Sequence, residues 1–348
     1  MEFFVTYNIE VFDEDKVSSL DSQLIDFDTD IYHSPAWAKA NQKLQKGSLF
    51  SILIESESNK AYFPLIKRAI ENTEYFDLIT PYGYGGIAFS HAATDEFKKN
   101  VLPALYQYLE KTNCVSLFLR LHPLLNSGLD KNAYIFENGV TLAVNLDSTF
   151  DEIKKNYSSG HRYDLKKSLK NENICVVDDV SFEYFEQFIE IYTETMRLLN
   201  ASDFYFFDNE YFYSLKEQLG NQLKLVVVKL DNVVIGASLF MLHNNIIQYH
   251  LSGTTIEGRN YQPSKLILNY MIEWGTANNY KYLHLGGGVG GAKDPLYKFK
   301  KGFSATEFEF STVRMITNRT VYKDLCKALK YSEEEICNVS DFFPLYRK

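Results

Sequence analysis

Two stretches of this chain, Leu49–Leu121 and Leu223–Leu285, run through the same order of elements, which constrains the fold more than any single motif. The first reads as strand Leu49–Glu55, a turn at Ser56–Lys60, strand Ala61–Ile70 and strand Tyr75–Thr80. The loop PYGYGG, a helix over Asp95–Lys111 and a strand at Cys114–Leu121 follow. Phe97, Val101, Leu105 and Leu109 share one face of that helix. The second stretch reads as strand Leu223–Leu230, a tight turn at Asp231-Asn232, strand Val233–Leu242 and strand Ile246–Gly253. The loop TTIEGRNYQ, a helix from Pro263 and a strand at Tyr280–Leu285 complete it. The residues of the two stretches are not alike, and only the order repeats. Each strand–helix–strand part is expected to close as a right-handed parallel crossover. The expected class is α/β, with mixed α+β sheets and one such unit in each half.

Helices at about Phe150–Asn171, Phe182–Leu199 and Asn209–Leu219 precede the second unit. Strand-like Val140–Asp147 gives way to helix near Leu146–Phe150, with no Pro/Gly linker. The expected division is therefore residues 1–147, residues 148–319, and a tail, residues 320–348. The tail reads as a helix and an aromatic end, DFFPLYRK, docking on the first domain.

The net charge of −9 counts against a dedicated DNA- or RNA-binding protein, although it leaves room for a local basic patch. Cys114, Cys175, Cys326 and Cys337 have neither C-x-x-C nor zinc-ligand spacing. They read as buried small apolar residues in a reducing compartment, and no metal is expected. The start, MEFFVTYNIEVFDEDK, has no apolar run of signal-peptide kind, and no stretch approaches a membrane span. A cytoplasmic protein is expected.

The strand at Tyr280–Leu285 opens into GGGVGG and then DPLYKFKKGF. Glycines let a backbone approach a ligand closely, and exposed amides can cradle negative charge. Five of them after a buried strand are costly to order without a reason. Gly286 and Gly287 are therefore read as a wall of a cleft, with Lys298, Lys300 and Lys301 beside it. Arg162 and Lys166 share a face of a basic helix, YSSGHRYDLKKSLK, able to grip phosphate or to stand solvated. Tyr82 and Tyr84 of PYGYGG can present hydroxyls to a polar substrate or pack as a turn. His250, on the third strand of the second unit, can face the cleft. No nucleophile elbow or Ser-His-Asp pattern is present.

Taken in order, YHSPAWAKA (Tyr32–Ala40), PYGYGG, RYDLKKSLK, YLHLGG and YKFKKGFS resemble the FemAB-type transferases of peptidoglycan bridge formation. They are also similar to the related FemAB-like N-acyltransferases linked to surface polysaccharides. The resemblance spans roughly Tyr32 to Phe310. It implies two tandem GNAT-like domains, with acyl transfer to an amine in the second. An acyl donor would lie between the splayed strands Ile246–Gly253 and Tyr280–Leu285, with a backbone N–H polarising its carbonyl. By the same resemblance Tyr297 is the candidate general acid, and Lys300 the group stabilising donor phosphate or developing negative charge. The implied donor is a thioester such as acyl-CoA. The implied acceptor is a small-molecule or nucleotide-linked amine of a cell-envelope or surface-polysaccharide precursor. A second reading takes aminoacyl-tRNA as donor, and a third is a binding module on the GNAT fold without catalysis. The usual Gln/Arg-x-x-Gly-x-Gly/Ala loop for CoA pyrophosphate is absent before the Pro263 helix, where GRNYQPSK stands.

Overall fold

The computed structural model describes residues 6–16, 20–127, 129, 132–339 and 342–348. Residues 1–5 of the N-terminal stretch and Asp341 of the aromatic end lie outside the described residues. The chain forms two compact units, Met1–Gly139 with Glu309–Lys348, and Val140–Phe308.

The first unit opens with β1 (Asn8–Asp13), α1 (Pro35–Gln42) and the hairpin β2 (Ser48–Ser56) and β3 (Asn59–Ala69). β4 (Phe76–Ile79), the short β5 (Ala88–Phe89), α2 (Asp95–Leu109) and β6 (Cys114–Arg120) follow. Thr94 starts α2 by accepting a hydrogen bond from the Phe97 amide at 3.2 Å. Phe97, Val101, Leu105 and Leu109 are all buried in a core that includes Ile52, Phe63 and Leu117.

The chain crosses to the second unit within β7 (Ile135–Asn145). There it forms α3 (Phe150–Lys155), α4 (Ser159–Ser168), β8 (Ile174–Asp178), α5 (Phe185–Leu198) and α6 (Asn209–Leu219). β9 (Leu223–Leu230), β10 (Val233–His243), β11 (Ile246–Thr254), α7 (Pro263–Ala277), β12 (Tyr282–Gly286) and α8 (Pro295–Lys301) follow. Asp231 and Asn232 take φ of 48° and 68°, as a two-residue hairpin demands. The sheet order of this unit is β7-β12-β11-β10-β9-β8. One face packs on α7 through Leu266, Ile267 and Met271, against Val226, Phe240, Ile247 and Leu283.

The chain returns within β13 (Thr306–Ile316), which pairs antiparallel with β6, and ends with α9 (Arg319–Ala328) and α10 (Glu333–Cys337). Tyr322, Cys326, Ile336, Phe343, Leu345 and Tyr346 pack there with Ile70 and Val115. Asp77, on β4, holds the last residues. Its carboxylate accepts from Arg68 Nε at 2.6 Å, Arg347 Nε at 2.8 Å and Tyr346 Oη at 3.1 Å.

Four features differ from the sequence reading. The helix expected over Phe150–Asn171 is two helices. Ser158 Oγ caps a new start by accepting from the His161 amide at 3.2 Å, and Arg162 donates to the Lys155 and Tyr157 carbonyls behind the break. β1, β8 and β13 were not expected as strands. The two compact units meet along the chain at 139/140 and 308/309, inside β7 and β13. Cys175 and Cys337 are exposed, whereas Cys114 and Cys326 are buried.

Candidate active site

β11 and β12 run parallel for three residue pairs, Ile246–Tyr282, Ile247–Leu283 and Gln248–His284, and then part. β12 ends at Gly286, while β11 continues to Thr254. The Asn245 carbonyl accepts from the Lys281 and Tyr282 amides at 2.8 and 3.1 Å. Strand groups alternate every two residues, so Ile247 and Tyr249 also aim their backbone toward β12. Tyr249 lies just past the last pair, at the mouth of the fork. The ladder between β10 and β11 slips by one residue between Leu239–Leu251 and Phe240–Tyr249, leaving His250 as a bulge. The slip moves the outward side to even residues. The Thr254 amide accordingly points away from β10 and donates to Thr195 Oγ1 of α5 at 3.0 Å. Past Gln248 no pairing of β11 with β12 continues among the described residues, and Thr195 bonds the outer end of the fork at Thr254.

The glycine segment begins where β12 stops. Gly286, Gly290 and Gly291 take φ of 70°, 61° and 82°, which other residues rarely adopt. Asp294 caps α8 and ties down the glycines. One carboxylate oxygen accepts from the Tyr297 amide at 2.8 Å, the other from the Val289 amide at 3.0 Å. Those amides hold the Asp294 carboxyl below its usual range. The absence of a clear amphipathic pattern after the glycines hid α8, a short helix whose buried residues are Tyr297 and Lys300.

Lys300 points back at the wall. Its Nζ donates to the Gly287 carbonyl at 2.7 Å, and the side chain is only 8% exposed. Burial pulls its ammonium down to about 8, with Asp294 acting weakly the other way. Tyr297 donates its phenol proton to Glu307. The bond to that carboxylate, then burial, raises its pKa and keeps the phenol protonated. Tyr297 and Lys293 in turn hold Glu307 down at about 2. Lys298, on the same short helix, is exposed. A Cβ at Gly286 would stand 3.5 Å from Lys300 Nζ. Gly286→Ala is therefore expected to cost about 1–2 kcal/mol, from backbone strain rather than collision. Chemical denaturation should register that loss.

His250 is half-buried on the bulge, with Nε2 3.3 Å from Tyr211 Oη. Burial pushes its imidazole down to about 3, so it stays neutral. α4 sits on α8. His161 Nε2 donates to the Phe299 carbonyl at 2.9 Å, and the Ser158 amide donates to the Gly302 carbonyl at 2.9 Å. This joins the RYDLKKSLK and YKFKKGF motifs. Arg162, read from sequence as a phosphate fork, spends one guanidinium nitrogen capping α3, and Lys166 projects outward.

The first unit contains the corresponding parallel pair, β4 with β6, from Phe76–Cys114 to Ile79–Phe118. Its fork is filled by its own chain. The Thr80 amide donates to the Phe118 carbonyl at 3.0 Å, the Arg120 amide to Thr80 Oγ1 at 3.1 Å, and the Gly86 amide to the Arg120 carbonyl at 2.8 Å. PYGYGG is thus a plug as well as a turn. Gln45 brackets it, accepting from the Tyr82 amide at 2.9 Å and donating to the Thr80 carbonyl at 3.1 Å. Trp37 Nε1 donates to the Tyr82 carbonyl at 2.7 Å. Tyr84 lies edge-on to Tyr32 and Phe310, with ring centroids 5.8 and 5.1 Å away. Tyr82 and Tyr84 remain half-exposed in this unit. Open depressions of about 550 and 250 Å³ also lie there, and none of the sequence candidates lines them.

Residues 158–301 match the family model for the acetyltransferase (GNAT) domain. The second unit carries a GNAT domain. The fold of the chain is similar to that of FemX, at 14% identity and a TM-score of 0.63, over 88% of this chain and 97% of that one. It is also similar to a conserved protein of unknown function from Bacteroides thetaiotaomicron, at 11% identity and a TM-score of 0.55, over 89% and 100%. No curated protein sequence matches the chain. Both units run through hairpin, strand, helix and parallel strand, and among the described residues the fork is filled in the first unit and open in the second, which carries the family match.

The start of α7 adjoins the outer end of the fork in the GNAT domain. A helix start can bind a diphosphate through several unspent amides. Here Pro263 has none, and the Lys265 and Leu266 amides both donate to the Gln262 carbonyl, at 3.0 and 3.2 Å. The Gln262 amide donates to Arg259, and the Gly258 amide to Thr255 Oγ1. The Lys265 ammonium is paired with Asp164 of α4. Most of the amides accounted for in this segment are thus spent within it. Among the described residues no group of three or more His, Cys, Asp or Glu is placed to hold a metal ion, and no helix is long and apolar enough to cross a membrane.

Proposed function

We propose that the protein is an N-acyltransferase acting in the cytoplasm on an amine of a cell-envelope or surface-polysaccharide precursor. The observation that carries this reading is the open fork of the GNAT domain set beside the closed fork of the other unit. A donor lying against Tyr249–Ser252 would extend the sheet by one short strand. The Tyr249 N–H then polarises the acyl carbonyl, and the acceptor nitrogen attacks the carbonyl carbon. The bond to the leaving sulfur or oxygen breaks as the amide forms. The amine proton leaves to solvent, and Tyr297 protonates the leaving atom, exchanging its bond to Glu307 for one to the donor. Lys300 places its positive charge at the glycine wall, where negative charge develops. Gly286, Gly287 and Lys298 border the donor. His250 is a neutral hydrogen-bonding group on the acceptor side.

Two donors remain distinct readings. A CoA thioester is the ordinary partner of a GNAT fork. The Lys265 and Leu266 amides, bonded to Gln262, and Pro263, which has no amide N–H, favour the other, an aminoacyl ester of tRNA, which needs no diphosphate cradle. Arg162 and Lys166 would then hold phosphates of the acceptor stem. Calorimetric titration with acetyl-CoA and CoA, at low and moderate salt, separates them. Micromolar binding supports the thioester. Absence of binding, together with tRNA affinity that falls steeply with salt and with Lys166→Ala, supports the aminoacyl ester. Failure of both donors would overturn the proposed acyl transfer at this fork.

A further inference from the structure

The outward side of α4 is unlike the rest of this acidic chain. Arg162, Tyr163, Lys166, Lys167, Leu169 and Lys170 are all exposed. Arg162, Tyr163, Lys166 and Lys167 lie on α4 itself within an arc of about 140°, and Leu169 and Lys170 stand in the turn that ends it. The opposite side buries His161, Leu165 and Ser168 against the domain. The acidic residue of the helix, Asp164, is neutralised by Lys265. Lys166, Lys167 and Lys170 pair with no carboxylate among the described residues. Between them stand two large apolar side chains, Tyr163 at 69% and Leu169 at 56% exposure. A solvated face gains nothing from an exposed Leu and Tyr among its lysines.

We infer that the outward face of α4 docks the protein on an anionic lipid surface. Lysines near such a surface are drawn to its headgroups, while Tyr sits well at the level where headgroup meets hydrocarbon and Leu reaches below it. The charge complementarity is local, since the chain as a whole carries −9 and is repelled by the same membrane. Docking through α4 orients rather than inserts, because only two apolar side chains face outward and the other side of the helix is committed to the core. A phosphate-only partner such as RNA uses the lysines but gains little from Leu169. This inference does not rest on the proposed acyl transfer, since vesicle binding needs neither donor nor acceptor.

The test is co-sedimentation of the full-length protein with vesicles of phosphatidylcholine alone and of phosphatidylcholine with one-third phosphatidylglycerol. Binding only to the anionic vesicles, weakened by salt, is expected. Each lysine near the surface contributes about fivefold, so K166Q with K170Q should lower the vesicle-bound partition about 25-fold. L169S should lower it several-fold while leaving binding to bulk tRNA unchanged. All these positions are exposed, so the variants should keep the parent melting temperature. Equal binding to both vesicle types, no vesicle binding, or tRNA binding in place of vesicle binding would each overturn the inference.

Discussion

Lys300→Met is expected to raise the melting temperature at neutral pH while abolishing donor binding. The ammonium is buried, and its pKa falls from 10.5 to about 8 on folding. That difference corresponds to about 3 kcal/mol of burial cost. Met keeps the volume and removes the charge. The loss of the hydrogen bond to the Gly287 carbonyl offsets about 1 kcal/mol of the gain. The pH dependence fixes the sign. Between about pH 8 and 10.5 the unfolded chain holds a proton that the native Lys300 has released, so wild-type stability rises through that window. The gap between the Met variant and the wild type should therefore be widest below pH 8 and shrink above it. A variant that melts earlier than wild type at neutral pH would make Lys300 a structural latch for the glycines instead.

Asp77→Ala is expected to carry the largest stability loss in the first unit, about 3–5 kcal/mol. Asp77 is fully buried and gathers Arg68, Arg347 and the Tyr346 hydroxyl. Removing the carboxylate leaves two guanidinium groups without their acceptor, one of them on the last residues of the chain. Urea denaturation should show the loss, and limited proteolysis should cut the tail after α9 in the variant first. A change under about 1 kcal/mol would mean that the aromatic packing of Phe343, Leu345 and Tyr346 holds the tail alone.

The repeated order of elements was legible because its strands are long and apolar and its turns carry their own chemistry, as Asp231-Asn232 does. β8 escaped because Ile174–Asp178 is only five residues long, and the turn before it, at residues 171–173, reads as the end of the basic helix. β13 carried a readable alternation, TEFEFSTVRMI, but its position after the glycine motif drew it into the site rather than the sheet. The break between α3 and α4 depends on Ser158 acting as a cap in the middle of a helical pattern, a choice made by packing against Gly302. In the site, the glycines and the buried Lys300 were legible from residue types. Glu307 was missed as the partner of Tyr297, because ten residues and a change of element separate them. The plug in the first unit depends on the hydrogen bonds of Thr80 and Gly86, and the fork in the second on the slip between β10 and β11, neither of which a local pattern announces.

The most direct test of donor binding in the second unit's fork is amide hydrogen exchange along the chain, with and without acetyl-CoA and, separately, aminoacylated tRNA. One of the two donors should slow exchange at Tyr249–Ser252 and over Gly286–Gly291, and leave Thr80–Gly86 unchanged. Protection by either donor at Thr80–Gly86, with none at Tyr249–Ser252, would place the donor in the unit read here as closed and contradict the account.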